Sequence, residues 1–276
     1  MRQSHQVRFL LGLLLAVNAV SIFGYATFGT HPEWLARYPW SVPIFAVANQ
    51  AFAQGQIIVS LLTLLVLLWG ACRAAWVPAF LVVVLLSGLS EFLGTSYGIP
   101  FGKYEYTTLL GAKFMEKVPY LIPPSWFVMA IPSFGLAAWI TRKKPSLGMR
   151  IAVGSLLLLM WDLTLDPAMS YLIPFWVWEK EGSFYGMPWS NLFGWYVTGV
   201  ALMGAFEILR VRSWLERLPV RTMAIFYGAN LMLPVGLVVV GGLWYSLLAT
   251  LPVIALLAVA LQGDLRAGTL SAKSPS

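Results

Sequence analysis

The chain alternates between long apolar runs and short polar connections along its whole length. A helix needs about 20 residues to cross the hydrocarbon core of a bilayer, and each apolar run approaches or exceeds that length. The pattern predicts about eight membrane-spanning helices, at residues 7–28, 44–69, 74–94, 121–140, 151–171, 191–209, 222–242 and 243–262. Only Gly241 and Gly242 separate the last two. We therefore predict an all-α fold, a polytopic transmembrane bundle in which residues 1–276 form a single integral-membrane domain.

The composition supports a membrane protein. Hydrophobic residues make up 59% of the chain and charged residues 11%, and the mean hydropathy is +0.77. The first apolar run follows Arg2 and Arg8, but it extends for about 20 residues without a small-residue cleavage site, so we interpret it as a retained span rather than a signal peptide. We expect a multi-pass protein of the plasma membrane or of another internal prokaryotic membrane.

The distribution of positive charge predicts the orientation, because short cytoplasmic loops carry an excess of Lys and Arg. If the N-terminus is inside, the inner side receives Arg2, Arg8, Arg73, Arg142, Lys143, Lys144, Arg150, Arg210, Arg212, Arg217, Arg221, Arg266 and Lys273. The outer side receives Arg37, Lys103, Lys113, Lys117 and Lys180. This asymmetry favours eight spans with both termini in the cytoplasm.

Several classes of function are disfavoured by what the chain lacks. The net charge of +7 is explained by topology, and no basic patch interleaved with aromatic residues suggests a nucleic-acid partner. His5 and His31 are the only histidines, too few for a multi-His iron cluster. The single Cys72 excludes an internal disulfide and a thiolate metal cluster. Neither common Gly-rich nucleotide fingerprint occurs, so we expect neither a cofactor nor a metal.

Three carboxylates lie inside predicted spans: Glu91 in the run 74–94, and Asp162 and Asp166 in the run 151–171. An ionisable group in hydrocarbon costs roughly 3 kcal/mol on insertion scales, so it persists mainly where it functions or is closely paired. Glu91 taken alone could equally be a structural residue that hydrogen-bonds a neighbouring helix. The two aspartates are harder to explain in this way, because one hydrogen bond would suffice for packing.

The spacing of the two aspartates places them together. In Trp-Asp-Leu-Thr-Leu-Asp-Pro, residues 161–167, they are four positions apart and so emerge on one helix face, one turn apart. Two carboxylates this close in a low dielectric cannot both ionise cheaply, so at least one should keep its proton at neutral pH. Pro167 lacks a backbone donor and leaves the carbonyl of Leu163 unpaired, which should open the helix at Asp166.

Two connections, 95–120 and 172–190, are too long and too aromatic to be idle loops. The predicted topology places both on the outer side, and it places Glu91 and Asp166 in the outer halves of their spans. The outer half of the second span is also polar, with Asn49, Gln50, Gln54 and Gln56. We therefore expect a pocket at the outer end of the bundle.

Most of the 13 tryptophans fall near predicted water boundaries, where Trp is ordinarily enriched. These belt candidates are Trp34, Trp40, Trp69, Trp76, Trp126, Trp139, Trp176, Trp178, Trp189, Trp214 and Trp244. Trp161 is different, because it lies at mid-depth beside Asp162, where its ring could stabilise a cation. Trp195 is intermediate. Glu207, near the inner end of the sixth span, is interpreted as structural, either extending outward to water or pairing with Arg210.

Three stretches of the chain carry a more specific pattern: Glu-Phe-Leu-Gly-Thr-Ser-Tyr-Gly-Ile-Pro-Phe-Gly-Lys-Tyr-Glu-Tyr at 91–106, Trp-Asp-Leu-Thr-Leu-Asp-Pro-Ala-Met at 161–169, and Phe-Tyr-Gly-Met-Pro-Trp-Ser-Asn-Leu-Phe-Gly-Trp at 184–195. These stretches resemble a known family, the integral-membrane carotenoid 1,2-hydratases, which includes gamma-carotene 1',2'-hydratases and bisanhydrobacterioruberin hydratases. The resemblance implies a cofactor-independent hydro-lyase. It would add water across the terminal 1,2 double bond of an acyclic carotenoid end, such as that of gamma-carotene or lycopene, and give a tertiary alcohol.

This reaction needs a neutral acid, stabilisation of a tertiary cation, and a group that handles water. From the chemistry we assign Asp162 as proton donor, Asp166 as its charge partner and Glu91 as the group that orients water; the first two roles could be exchanged. The proposed substrate-binding residues are Trp161, which faces the cation, and Tyr104, Tyr185, Asn191 and Trp195. The expected partners are a carotenoid from the lipid phase, water, membrane lipid and other carotenoid-pathway enzymes.

Two other functions remain open. A membrane polyprenyl transferase also uses two aspartates four residues apart, to hold magnesium and diphosphate, but it normally needs a second Asp-rich motif and a basic cytoplasmic site. A proton-coupled carrier of an apolar substrate could use buried carboxylates. The chain shows neither repeat symmetry nor a run of polar positions that reaches both faces.

Overall fold

Eight long helices form the body of the part of the chain that the structure describes. The structure, a computed structural model, describes residues 2–271 and the side chains of residues 5–262. The long helices are α1 (Arg2–Gly24), α3 (Ser41–Cys72), α4 (Val77–Tyr97), α5 (Ile122–Ile140), α6 (Leu147–Asp166), α7 (Trp189–Ile208), α9 (Val220–Val240) and α10 (Trp244–Ser271). Two short helices, α2 (Pro32–Arg37) and α8 (Arg212–Leu215), lie in connections. Two π-helical segments, Tyr25–Gly29 and Pro167–Leu172, extend α1 and α6, and 3₁₀ turns occupy Arg73–Trp76 and Thr141–Lys143.

Each of the eight predicted runs coincides with one long helix, so the predicted all-α bundle is confirmed. Within the described residues, six helical stretches are long and apolar enough to cross a membrane: His5–Gly29, Ser41–Tyr97, Ile122–Lys143, Leu147–Leu172, Val220–Val240 and Trp244–Gln262. The second of these runs through both α3 and α4, and α7 is not among the six. The number of spans, the single domain and the side of the termini stay predictions, and residues 272–276, with Lys273, lie outside the described residues.

Helix α5 occupies the centre of the bundle. It is apolar on every side, and a helix of this kind is stable only when other elements surround it. It packs against α3, α4, α6, α7 and α9, and it buries Met129, Ile131 and Phe134 almost completely. The core therefore lies around α5, and the helices that carry the predicted acids, α4 and α6, pack directly on it.

Helices α6 and α7 pack closely because a small residue separates their backbones. A Cβ atom on Gly199 of α7 would lie 3.1 Å from the Cα of Ser155 on α6. Small residues at such contacts let membrane helices approach each other. Because the two helices are antiparallel and in close contact, the first turn of α7, which carries Asn191, lies beside the end of α6.

The two long connections form one cap over an end of the bundle. Strand β1 (Tyr104–Tyr106) pairs antiparallel with β4 (Trp176–Trp178), with Tyr104 opposite Trp178 and Tyr106 opposite Trp176. Strands β2 (Lys113–Phe114) and β3 (Val118–Pro119) form a second pair within the first connection. Successive side chains of a strand point to opposite faces, so Tyr104 and Tyr106 are buried whereas Glu105 is exposed.

At the end of the bundle opposite the cap, Glu207 pairs with a residue that the sequence did not suggest. Its carboxylate accepts from the Arg150 guanidinium at two points, Nε to Oε1 and Nη2 to Oε2, the latter at 2.8 Å. The sequence left two possibilities open for Glu207, extension to water or pairing with Arg210, and its pairing with Arg150 is neither of them. Arg150 lies in the first turn of α6 and Glu207 in the last turn of α7, so packing of these two antiparallel helices brings them together.

Candidate active site

One side-chain amide bridges the two aspartates of α6. The Nδ2 group of Asn191 donates to Oδ2 of Asp162 at 2.9 Å and to Oδ2 of Asp166 at 2.8 Å. All three side chains are buried. An amide nitrogen has two hydrogens, so one group can serve both carboxylates at once. Asn191 belongs to the first turn of α7, and the pair predicted from spacing is thus completed by a different helix.

The two aspartates differ in how many donors they receive. Oδ1 of Asp166 accepts from the hydroxyl of Ser170 at 2.6 Å and from the indoles of Trp176 and Trp178 at 3.3 Å each. With Asn191, Asp166 therefore has four donors. Asp162 has one, and its Oδ1 is buried without a partner.

The backbone around Pro167 explains how Asp166 reaches these donors. Helix α6 ends at Asp166, and a π-helical segment begins at Pro167, the position where the sequence predicted an opening. The segment keeps Ser170 within reach, since its hydroxyl bonds both the carbonyl and the side chain of Asp166. Single π-helical turns inside helices are frequent at functional sites.

Glu91 on α4 is held by three donors. Its Oε2 accepts from the hydroxyls of Tyr104 and Tyr106, the second at 2.8 Å, and its Oε1 accepts from the indole of Trp126 at 2.9 Å. The tyrosines reach inward because β1 presents every second residue to the bundle. Gly94 makes room for them: a Cβ atom there would lie 3.1 Å from the ring of Tyr104.

Both tyrosines remain hydrogen-bond donors over the ordinary pH range. Burial, and then the neighbouring Glu91 carboxylate, raises the pKa of the Tyr104 hydroxyl well above its usual value. The same two causes, in the same order, raise the pKa of Tyr106. Each hydroxyl thus keeps the proton that it donates to Glu91, so the cap holds this acid in one position.

Three tryptophans form an aromatic wall between the acids. The rings of Trp126 and Trp195 stack with centroids 4.1 Å apart and planes 21° apart. Trp161 meets Trp195 edge-on at 5.9 Å and 69°. Such aromatic pairs are worth about 0.5–1.5 kcal/mol each beyond the area that they bury. The wall links α5, α7 and α6, and it gives the site faces that could stabilise a cation.

The acids and the aromatic wall enclose a cavity of about 100 Å³. Its polar and aromatic lining consists of Gln56, Ser60, Glu91, Phe101, Tyr104, Tyr106, Ser125, Trp126, Trp161, Asp166, Phe175, Trp176, Trp178, Asn191, Trp195 and Asn230, among aliphatic side chains. Ser60 and Gln56 both donate to Oδ1 of Asn230, at 2.7 and 3.2 Å. Besides the carboxylates, the lining therefore carries a cluster of neutral amides and a hydroxyl from α3 and α9. Among the described residues, no group of three or more His, Cys, Asp and Glu side chains is placed to hold a metal ion.

The structure brings most of the predicted site residues together. Glu91, Tyr104, Trp161, Asp166, Asn191 and Trp195 all line the cavity. Asp162 does not line it, and it lies behind the cavity wall in contact with Asn191. Tyr185 is placed elsewhere, which corrects the prediction that it lines the pocket. It lies in a tight turn with a φ of 50°, packs beside Tyr171 and accepts from the backbone of Tyr245 at 3.1 Å.

Four aromatic residues of the site were missed in the sequence. Trp126, Trp176 and Trp178 were interpreted as membrane-belt residues, which is wrong for these three because their indoles donate to buried carboxylates. Tyr106 was not singled out. The available signal was the alternation in 104–106 and 176–178, where aromatic residues two apart predict strands with one aromatic face.

The chain matches a known protein family over most of its length. Residues 52–257, which include all the cavity residues named above, match the family described as "Carotenoid biosynthesis protein". The chain is similar to bisanhydrobacterioruberin hydratase of Haloarcula japonica, with 29% identity over 140 residues. This region is 50% of the chain and 47% of the relative, so the chain spans about half the length of the curated relative that it matches. No solved structure matches. Because the family match covers more than half of the chain, the protein belongs to the carotenoid biosynthesis protein family.

Proposed function

We propose that the protein is a carotenoid hydratase that adds water across the terminal 1,2 double bond of an acyclic carotenoid end, such as that of gamma-carotene or lycopene. Family membership and the similarity to a hydratase support this class of reaction. The chemistry is supported by the site, where two acids and several aromatic rings line a small cavity whose other described side chains are uncharged. The product would be a tertiary alcohol.

The observation that carries the proposal is the unit of Asp162, Asn191 and Asp166. Hydration of an unactivated alkene begins with proton transfer to carbon, so the site must hold a proton next to an apolar substrate. Two coupled carboxylates in a low dielectric share a proton more readily than they both ionise, and the proton then belongs to the pair. Asp166 is the member of the pair that lines the cavity, which supports exchanging the two roles first assigned to the aspartates.

The reaction can be written as a cycle. The Asp162–Asp166 pair gives its proton to C2 of the terminal double bond, whose π electrons form the new C–H bond and leave a tertiary cation at C1. The two N–H bonds of Asn191 then stabilise both ionised carboxylates. Water adds to C1 through its oxygen, and its released proton returns to the pair. The pair is restored and no cofactor is consumed.

The remaining groups stabilise the cation and position the water. The faces of Trp161 and Trp195 provide cation–π stabilisation, and the ionised acids add negative charge. Glu91 orients the water: a carboxylate has about four acceptor positions, and three are filled by Tyr104, Tyr106 and Trp126. Asn191 and Tyr104 act as lining residues that hold the acids in place.

The proposed partners follow from the substrate. A carotenoid is soluble only in lipid, so it would reach the site from the bilayer, and water would reach the outer end of the bundle through the cap. We place the protein in the plasma membrane or another internal prokaryotic membrane as a multi-pass protein. Enzymes that build the acyclic polyene and enzymes that modify the new alcohol would act before and after it.

Expression in a host that accumulates lycopene or gamma-carotene tests the proposal. The pigments are extracted and analysed by mass spectrometry and visible absorption. We expect the gain of one water per reacted end with the polyene chromophore intact. The double variant Asp162→Asn/Asp166→Asn, expressed at the same level, is the matched control and should leave the pigments unchanged. Unchanged pigments with the wild-type protein in several such hosts would refute the function.

A further inference from the structure

A second, larger space lies beside the active-site cavity. It is an apolar groove of about 600 Å³ between the end of α1 with its π-helical extension on one side and the first turns of α3 on the other. No charged side chain lines it among the residues that the structure describes. Four residues, Ala53, Met169, Phe175 and Leu233, line both the groove and the cavity. The two spaces are therefore neighbours separated only by these side chains.

The cavity by itself is too small for a carotenoid. A cavity of about 150 Å³ accommodates one benzene ring, so the cavity of about 100 Å³ takes roughly one isoprene unit. A longer apolar substrate must leave the cavity in some direction. The groove is the adjoining space, and it offers about 600 Å³ of apolar surroundings.

The groove also opens toward the region where lipid would lie. Phe23 and Ile44 line it, are 69% and 59% exposed, and belong to helical stretches long enough to span a membrane. Large apolar side chains with this exposure on such helices face hydrocarbon rather than water. An apolar chain could thus pass sideways from the bilayer into the groove without contacting water.

We propose that this groove is the binding site for the long apolar chain of the substrate. The terminal isoprene unit would pass between Ala53 and Met169 into the cavity, and the conjugated chain would lie between α1 and α3. This assignment rests on the proposed function for the identity of the chain. It adds a determinant of specificity: the groove selects substrates with a long, extended polyene chain, whereas the cavity selects the end that reacts.

The chain offers a matched pair of glycines for a test. Gly24 lines the groove, Gly12 does not, both lie on α1, and a Cβ atom at either position would contact nothing within 4 Å. Gly24→Phe should fill the groove without straining the fold, and Gly12→Phe should add the same ring at a position outside it. A second pair lies on α3, where Ala48 lines the groove and the exposed Ala46 does not.

Binding of a carotenoid to the groove can be measured without measuring hydration. Lycopene is achiral, so it shows circular dichroism in its visible band only when a protein holds it in a chiral arrangement. We expect the purified wild type in detergent, with lycopene added, to show this signal. We expect Gly24→Phe and Ala48→Trp to lose at least tenfold in amplitude, and Gly12→Phe and Ala46→Trp to keep it.

The dichroism signal tests the groove assignment, whereas the gain of water tests the proposed function, so the two can fail independently. Full amplitude in both Gly24→Phe and Ala48→Trp overturns the groove assignment, even if the wild type hydrates lycopene. No signal in the wild type also overturns it and indicates that the groove holds only membrane lipid. A signal that is lost in both groove variants, in a wild type that hydrates neither lycopene nor gamma-carotene in the expression hosts, supports the groove and refutes the hydratase.

Discussion

The indole of Trp126 donates to Oε1 of Glu91 over 2.9 Å, and this bond joins α5 to α4 inside the bundle. A tryptophan of a membrane-interface belt would leave the same N–H to water or lipid headgroups. Here the N–H satisfies a buried acid, while the ring stacks on Trp195. One residue thus positions an acid and builds the aromatic wall of the site.

Replacing this tryptophan separates its two roles. Trp126→Phe keeps an aromatic ring against Trp195 but removes the donor to Glu91. A buried acceptor that loses its donor costs about 1–3 kcal/mol of folding stability, and Glu91 keeps Tyr104 and Tyr106 as donors, so most of the protein should stay folded. Because Oε1 of Glu91 is no longer held in place, we expect hydration to fall roughly tenfold. Carotenoid conversion per unit of purified protein measures this. Trp244→Phe, at a tryptophan that is 58% exposed, is the control, and an equal loss in both variants would show that the bond to Glu91 has no role.

The aspartate pair gives a second prediction. Asp162→Asn nearly preserves shape and hydrogen bonding but removes one of the two carboxylates that share the transferable proton, so hydration should fall by about 100-fold or more while expression stays near normal. Asp166→Asn should impair turnover at least as strongly, because Asp166 is the member of the pair that lines the cavity and would pass the proton to the substrate. If Asp162 served only in packing, the amide should replace it without loss. Near wild-type hydration by Asp162→Asn would eliminate the proposed use of the pair.

Asn191 should matter because it serves both acids. Asn191→Leu has a similar volume but no N–H group, so Asp162 loses its one hydrogen-bond partner and Asp166 loses one of four. We expect a loss of about 1–3 kcal/mol in the free energy of unfolding together with reduced hydration. Thermal melting in detergent measures the first effect. In an Asp162→Leu background, where this bond is already broken, the added loss should be smaller, since mutations of two residues that share a bond are not additive; strict additivity would contradict the bridge.

The ion pair between Arg150 and Glu207, at the end of the bundle away from the site, should contribute to stability and not to hydration. Arg150 and Glu207 are 8% and 14% exposed at their side chains, and breaking one half of a buried pair costs about 3–5 kcal/mol. We therefore expect Arg150→Met to lower the melting temperature strongly, and Arg150→Met/Glu207→Leu to recover much of the loss. Lys103→Met breaks the ion pair between Lys103 and Glu179, whose side chains are 48% and 52% exposed. This variant should therefore change the melting temperature far less. An equal loss in both single variants would contradict this difference.

The orientation can be tested with single cysteines. Cys72 is replaced by Ala, and Lys143→Cys or Glu181→Cys is introduced at an exposed position. With a reagent that cannot cross the membrane, Glu181→Cys should be labelled in intact cells and Lys143→Cys only after the cells are opened, because the loop 141–150 is rich in positive charge. Tags at both termini should behave like Lys143→Cys. Labelling of both cysteines from the same side would overturn the topology and move the site to the inner end.

The long apolar runs and the buried acids within them were determined by the sequence alone. A run of about 20 apolar residues forms a helix in a membrane whatever surrounds it, because each backbone bond is made within the segment. The same holds for the shared face of Asp162 and Asp166, which follows from four residues of spacing on one helix. Local patterns were sufficient here because the interactions that decide them are local.

Only the tertiary structure decided which groups satisfy each acid. Trp176 reaches Asp166, and Tyr106 reaches Glu91, because β1 pairs with β4 across about 70 residues of chain. The sequence of neither strand specifies the register of that pairing. The partner of Glu207 and the position of Tyr185 likewise depend on helix packing and on one tight turn. Side-chain partners are chosen by distance in space, and a single sequence records only distance along the chain.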